Sequence, residues 1–470
     1  MRNKSVILVT EFSIATVSIC CMAYAQLWLG DHSPSLVYEP RSGTYFSVYQ
    51  TYAQSMLSDA GIDPWGNSYS RVLYIEADEH AKPAVGRDTV NDTFLIVWTG
   101  GFPYNDLLGL LGGPEGGLII SSAPGAQANP VVTNDSINSG FLVTWLDDRN
   151  IDGMAIYGQL VGAEGRLVGT EFLIASGLGR PELEPPYSVT YDHVNQRFLV
   201  VYLGESIFGQ LIDANGMLQG EKFITMQYPI DTYYPIGRIS VAYDDLNQRH
   251  LVVWDEHDAG GAIFGQLVSA DGTLLGTTFT ISPHGKNPSV AFDNVNQRFL
   301  VAWTSGITDG QFVNGDGALQ GDRISISQKG SFSFLYDDPP SIAFNPRCGN
   351  FLVASVARDA SQIKGTWTTK SEINYTVVGD PCPAATLTVK KKGYRAKKSQ
   401  IEGYNGVGCK RNSCKYIAGS GVTITAIPDD KAVFEGWTGC DTVMDNVCNV
   451  TMDGDKTVTA KFSKVPKKSR

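Results

Sequence analysis

Near-continuous apolar runs, about five residues long and bounded by polar turns, recur along the first three quarters of the chain. Phe94-Leu-Ile-Val-Trp98, Phe141-Leu-Val-Thr-Trp145, Phe198-Leu-Val-Val-Tyr202 and Phe299-Leu-Val-Ala-Trp303 are the plainest, with Phe351-Leu-Val-Ala354 a shorter relative. Runs this short, rich in β-branched and aromatic residues, specify strands. A strand that is apolar at every position, rather than at alternate ones, needs cover on both faces. Long helical periodicity is hard to find anywhere, and 50 Gly with 21 Tyr and 20 Phe also point to turns and strands.

The runs belong to a longer repeat. Ser240-Val-Ala-Tyr-Asp-Asp-Leu-Asn-Gln-Arg-His-Leu-Val-Val-Trp254 is matched closely by Ser289 to Trp303 and by Ser188 to Tyr202. Weaker copies begin near Ser35, Ala84, Val131 and Ser341, giving seven starts separated by 47 to 57 residues. An Asp-x-x-Asn turn (Asp192/Asn195, Asp244/Asn247, Asp293/Asn296) separates the first strand of a copy from the apolar second one. A second half follows, as in Ile263-Phe-Gly-Gln-Leu-Val268, Asp271-Gly272 and Thr277 to Ile281, with Tyr157-Gly-Gln-Leu160 and Phe208-Gly-Gln-Leu211 its counterparts. Asn-Gly and Asp-Gly tolerate the positive φ that tight hairpins demand. Each copy therefore reads as four short strands. The Gly of Gly-Gln-Leu predicts close approach by an adjacent backbone or a bulky Trp.

Four-stranded sheets stacked radially shelter both faces of the second strand and protect most edges. The repeats resemble those of secreted bacterial β-propellers, whose blades take ~40 to 50 residues. The resemblance implies an all-β fold with about seven four-stranded blades over residues 26–379. Copy two is compressed after Leu107, and copy seven lacks the Gly-Gln-Leu and Asp-Gly blocks. Whether Gln26-Leu-Trp-Leu29 closes the last blade is left open by the sequence.

The first 25 residues have the form of a signal peptide: basic Arg2 and Lys4, a largely apolar Val6 to Cys21, and the small-x-small site Ala23-Tyr24-Ala25. No later segment is long and apolar enough to span a bilayer as a helix. Export to the medium, the cell surface or the periplasm agrees with six remaining cysteines, an even number for an oxidising compartment. Of their 15 connectivities, Cys409–Cys414, Cys440–Cys448 and Cys348–Cys382 each close a local loop. The C-x4-C and C-x7-C spacings suit a structural zinc poorly.

Composition changes after Gly379-Asp-Pro-Cys-Pro383. A linker at 380–386 leads into period-two strand patterns, Val422-Thr-Ile-Thr-Ala426 and Val458-Thr-Ala-Lys-Phe462, and a basic tail occupies 464–470. With Phe434-Glu-Gly-Trp-Thr-Gly-Cys440 and Cys448-Asn-Val-Thr-Met452, residues 387–463 resemble the bacterial repeat domain related to internalin B-repeats. That resemblance implies a small, disulfide-containing, β-grasp-like module. Charge divides the same way: the chain carries −11, but residues from Ala384 onward carry +8 and residues 26–383 carry −20. So acidic a propeller is a poor partner for nucleic acid.

Candidate chemistry is confined to acidic loops after the second strands. Asp147, Asp148 and Asp152 lie in one such loop and Asp255, Glu256 and Asp258 in another, with Glu205 and Asp309 in two more. These are the candidate ligand-binding carboxylates. Ca²⁺ is the cation such a cluster would take, but no Asp-x-Asp-x-Asp-Gly loop is present, and no metal or other cofactor is expected. The recurring Asp192, Asp244 and Asp293 read as structural Asx turns, and Trp98, Trp145, Trp254 and Trp303 as blade core. Neither a Gly-x-Ser-x-Gly elbow nor a His-Glu-x-x-His pair occurs. The sequence thus favours an exported non-enzymatic binding or scaffolding protein with an extracellular protein or glycan partner. A propeller hydrolase or lyase acting on polysaccharide through the acidic loops is the alternative.

Overall fold

The computed structural model describes residues 27–466, except 40–43, 52–55, 65–67, 77–81, 101–105, 113–116, 151–152, 179–186, 227–235, 257–260, 328–337, 364–365, 405 and 411. The signal segment, Asp152 and Asp258 lie outside the described residues. Among the described residues, every regular element is a strand.

Each sequence copy forms its own antiparallel sheet. The fourth is typical: Tyr187–Asp192, Arg197–Leu203, Ile207–Asp213 and Leu218–Met226 pair in chain order. The second, third, fifth and sixth copies repeat this arrangement. The first and last sheets are joined through one strand, Leu27–Glu39. Its first residues, Leu27–Gly30, lie parallel to Thr368–Ser371 of the seventh sheet, whereas Asp31–Glu39 pairs antiparallel with the first sheet's Thr44–Thr51. This answers the closure question with backbone pairing.

Hydrophobic packing shows that the seven sheets form a closed ring. In the fourth sheet's second strand, Phe198, Val200 and Tyr202 pack with Leu142, Leu146 and Ile156 of the third sheet. The alternate residues Leu199 and Val201 pack with Ile239, Val252 and Trp254 of the fifth. Equivalent cores join first to second, second to third, fifth to sixth and sixth to seventh. The last joins seventh to first, where Ala343, Leu352 and Ala354 meet Leu36, Tyr45 and Ile62. All-apolar second strands are therefore buried on both faces because each sheet lies between two others. Trp98, Trp145, Trp254 and Trp303 are buried within these cores. The architecture is a seven-bladed β-propeller.

Local rules of the repeat have identifiable causes. Asp88, Asp135, Asp192, Asp244 and Asp293 are buried, and each accepts two backbone N–H groups of its own turn and the side-chain amide of the Asn three residues on. Arg197, Arg249 and Arg298 pair with the same carboxylates in their blades. The Gly-Gln-Leu glycine meets a phenylalanine of the outer strand, not an adjacent backbone or a Trp. A Cβ on Gly158, Gly209 or Gly265 would lie 2.9, 2.2 or 2.8 Å from the Phe172, Phe223 or Phe279 ring. The neighbouring Gln bridges the register shift beside it: Gln210 Nε2 donates to Leu211 and Gln219 carbonyls, and Gln266 to those of Leu267 and Leu275.

The C-terminal module pairs its first long strand, Ala384–Gly393, parallel to its last, Lys456–Lys464, in a five-stranded sheet. A four-stranded sheet containing Gly421–Ile427 and Val447–Thr451 covers it. Leu387, Ile424, Trp437, Cys448, Val458 and Phe462 share the core between them. The bridges are Cys348–Cys382, Cys409–Cys414 and Cys440–Cys448. The first ties the approach to this module to the turn of the seventh blade, where Asn350 Nδ2 also donates to the Asp380 carbonyl at 2.7 Å.

Candidate functional site

In a four-stranded meander, the turns joining strands one to two and three to four share one face. The loops joining strands two to three share the other with the blade-to-blade connections. At this second face the inner strands begin, and there they enclose a cavity of about 270 Å³ on the propeller axis.

Every blade contributes one segment to it. Pro34-Ser35, Pro83-Ala84, Pro130-Val131, Tyr187-Ser188, Ile239-Ser240, Pro288-Ser289 and Pro340-Ser341 line the space in turn. The first residue of each pair is buried, and the second is half-buried except for the buried Ala84. A register shift interrupts the inner strand immediately before or at these residues in the first, third, fifth and sixth blades. Such bulges re-aim side chains. They turn a run of strand residues into a collar around the axis.

Cross-blade hydrogen bonds fix the collar. Ser35 Oγ accepts the Val85 N–H of the next blade at 3.1 Å, Ser188 Oγ that of Val241 at 3.3 Å, and Ser240 Oγ that of Val290 at 3.3 Å. The Tyr187 hydroxyl donates to the Asn129 carbonyl at 2.7 Å, and burial holds this phenol well above its ordinary pKa. Lys82, Arg238 and Asp338 supply the charged part of the lining.

Among the described residues, the acidic loop side chains are held in hydrogen-bond networks of their own blades. Asp147 is fully buried and accepts from Trp145 Nε1 at 2.9 Å and from the backbone and guanidinium of Arg149. Burial pushes its pKa up, but the bonds from Arg149 and Trp145 more than offset this, leaving it below the ordinary carboxylate value. Arg149 also pairs with Glu171 and lies 4.1 Å over the Tyr157 ring. Ser121 of the second blade donates to Glu171 at 2.8 Å, so this network ties two blades together. Asp148 is exposed and accepts the Ala126 N–H. Asp255, in the fifth blade, is buried and accepts the Arg238 N–H at 2.7 Å, while Glu256 is half-buried in the strand ladder opposite Ile236. Asp309 is buried and accepts from Ser305 Oγ at 2.6 Å. Asp147 and Asp255 are thus engaged in separate internal networks. Among the described residues, no three His, Cys, Asp or Glu side chains group as a metal site would require.

Sequence reasoning missed the collar. Its signal was present, since five of the seven lining segments end in Ser at the start of a copy. The opposite face was missed as well. There Val90, Ile137, Val194, Leu246 and Val295 each stand about half exposed at the third position of an Asp-x-x-Asn turn.

Residues 402–466 match the family profile of the divergent InlB B-repeat domain. No curated protein sequence matches the chain. Among solved structures, the fucose-specific lectin of Aleuria aurantia superposes with a TM-score of 0.43 at 10% identity, over 62% of this chain and 96% of that one. A mutant of the Aleuria aurantia lectin in complex with Fucα1-6GlcNAc gives 0.42 at 10% identity, with the same coverage. At such values the propeller assignment rests on the strand pairing and the seven inter-sheet cores. Among the described residues, no helix is long and apolar enough to cross a membrane.

Proposed function

We propose that this chain is an exported, non-catalytic binding protein that holds the end of a glycan at the collar of its propeller. The supporting observation is the axial cavity to which all seven blades contribute. Its lining combines a proline in five of the seven segments with a serine in five, which suits a sugar unit, apolar on its C–H face and hydroxylated at its edge. At about 270 Å³ it lies just below the ~300–1,000 Å³ of ordinary small-molecule pockets, a size for one terminal unit of a longer chain.

Two acidic side chains that a hydrolase or lyase could have used, Asp147 and Asp255, already accept hydrogen bonds within the protein. Asp147 holds Arg149, and Asp255 holds the backbone of Arg238. Three disulfides suit a protein that works in an oxidising space outside the cytoplasm. The C-terminal module, basic where the propeller is acidic, then serves as an accessory attachment domain.

The test is a glycan array with the full-length secreted chain, repeated with Ser289→Phe, which fills the collar. Binding by the natural chain and its loss in the substituted one, at unchanged circular dichroism, is the expected result. Binding that survives the substitution, or capture of proteins with no glycan bound, would overturn the reading.

A further inference from the structure

We infer that the C-terminal module binds a linear, carboxylate-bearing polysaccharide along the outer face of its five-stranded sheet and the turn that follows. This site is separate from the collar and does not depend on it. It gives the attachment role a surface and a partner.

The first argument is a surplus of positive charge that the fold leaves unused. Residues 390–398 hold six basic side chains in nine positions, with no acid among them. Two of the six are engaged within the module: Lys391 Nζ donates to the Ser399 carbonyl at 2.7 Å, and Arg395 pairs with Asp429 at 3.0 Å. Lys390, Lys392, Lys397 and Lys398 are exposed, and among the described residues none of the four meets a carboxylate within ion-pair distance.

The second argument is placement. Val389 is buried in the core, so strand alternation turns Lys390 and Lys392 to the outer face, ~7 Å apart. The parallel strand Lys456–Lys464 buries Val458, Ala460 and Phe462 and turns Lys461 outward, directly opposite Lys392. Of these three lysines only Lys461 has a carboxylate partner, Glu435 at 3.0 Å. Cations this close lie within the screening length of ~8–10 Å at physiological salt, so their fields add. A row of anions laid along them relieves the repulsion.

The third argument is the rest of the face, which selects among polyanions. Thr386 and Thr388 flank the lysines on one strand and Thr457 and Thr459 on the other, all at least partly open to solvent. Tyr394, 41% exposed, stands at the end of the first strand with Lys464 Nζ 5.9 Å from its ring centre. Lysines answer carboxylates, threonines answer sugar hydroxyls, and an exposed tyrosine ring gives the C–H face of a sugar an apolar contact. A flat sheet face without walls suits an extended polymer, since a single sugar would reach only one or two of these groups. A nucleic-acid duplex is wider and denser in charge. It would bring phosphates near a propeller of net −20, to which Cys348–Cys382 ties the module.

The experiment is biolayer interferometry of the full-length chain on immobilised polygalacturonate, dextran, polyglutamate and duplex DNA. Polygalacturonate should bind at least about tenfold more tightly than dextran, and more tightly than polyglutamate or DNA. Raising the salt to about 0.5 M should weaken it at least about tenfold. Lys390→Gln, Lys392→Gln, Lys397→Gln and Lys398→Gln combined should cause a loss of the same size at unchanged circular dichroism, whereas Arg at all four positions should retain binding. Ser289→Phe, at the collar, should leave polygalacturonate binding unchanged. Full binding by the four-Gln variant, or loss of binding in Ser289→Phe, would overturn the site. Dextran binding as tightly as polygalacturonate, or loss in the four-Arg variant, would overturn recognition by charge. Polyglutamate or DNA binding as tightly would overturn the saccharide assignment. Binding to none of the four would make the lysines solvated charges and overturn the inference, while the glycan array with Ser289→Phe still decides the collar separately.

Discussion

His250 occupies a position that five of the other six blades give to phenylalanine (the first has Tyr45), and replacing it with Phe should stabilise the propeller in a pH-dependent way. The imidazole is fully buried, and neither ring nitrogen has a hydrogen-bond partner. It packs against Tyr243 with ring centroids 4.9 Å apart. Phe198 on Tyr191 and Phe299 on Phe292 each do the same at 4.8 Å, and Phe351 on Phe344 at 5.0 Å. A phenyl ring therefore fits the site without overpacking. Removing a buried polar ring that lacks partners should gain about 1–3 kcal/mol at pH 7.

Acid enlarges the difference. Burial, the main cause, lowers the His250 pKa to about 4; Arg197 lowers it further and Asp192 opposes. In the unfolded chain the value is ~6.5, so between these limits the unfolded state binds a proton that the folded state refuses. Stability from this group is intact above pH 6.5 and falls as pH drops towards 4. The penalty is roughly 2 kcal/mol at pH 5 and roughly 3 kcal/mol below pH 4. Urea unfolding of the natural chain and His250→Phe at pH 7 and pH 5 measures both effects, because other titrating groups cancel in the difference. The substituted protein should be more stable at pH 7 and lose about 2 kcal/mol less on going to pH 5. Equal losses in the two proteins, or lower stability of His250→Phe at both pH values, would refute the reasoning.

Three further changes probe the repeat rules and the module. Gly209→Ala drives a methyl to 2.2 Å from the Phe223 ring and should cost about 1–3 kcal/mol in thermal unfolding, largely recovered by adding Phe223→Leu. Asp293→Ala removes the acceptor for Val295 N–H, Asn296 N–H and the Asn296 amide, and should cost about 2–3 kcal/mol; Val295→Ala in the same turn, with 54% of the side chain exposed, should change denaturation by less than about 0.5 kcal/mol. Reductant should loosen the C-terminal module before the propeller. The Cys440–Cys448 loop contributes roughly 2–3 kcal/mol in the chain-entropy model. It also contains Asn446, whose carbonyl accepts from Trp437 Nε1 at 2.8 Å. Proteolytic cleavage within the C-terminal module should precede loss of the propeller's circular dichroism; simultaneous loss would contradict this.

The repeat, the buried second strands and the Asp-x-x-Asn turns were legible because each depends on local pattern. Phe198 to Tyr202 cannot be apolar throughout unless two neighbours cover it, and Asp192 with Asn195 satisfy each other within one turn. Closure was not legible. Leu27–Gly30 pairs with Thr368–Ser371 as parallel strands, and backbone pairing imposes no side-chain pattern that a sequence could show. Acidic loop residues misled for a different reason. Asp147 and Asp255 lie at the ends of the second strands, where their polarity suggests solvent. In the fold each is buried against a donor: the Arg149 guanidinium close by in sequence, and the Arg238 N–H from the inner strand. The partner of the Gly-Gln-Leu glycine was missed because Phe223 reaches Gly209 only after the register shift between the two outer strands. The collar was seen as repeated serines without their common axis.

Amide hydrogen exchange, read peptide by peptide, tests most directly whether the seven sheets close on themselves. Phe46–Tyr49 in the first blade and Phe351–Ala354 in the seventh should exchange as slowly as Phe198–Tyr202 in the fourth, since all three are covered by neighbours on both sides. Exchange tens of times faster in the first and last blades than in the fourth would mean an open stack with frayed ends, and neither the ring nor its collar would survive that result.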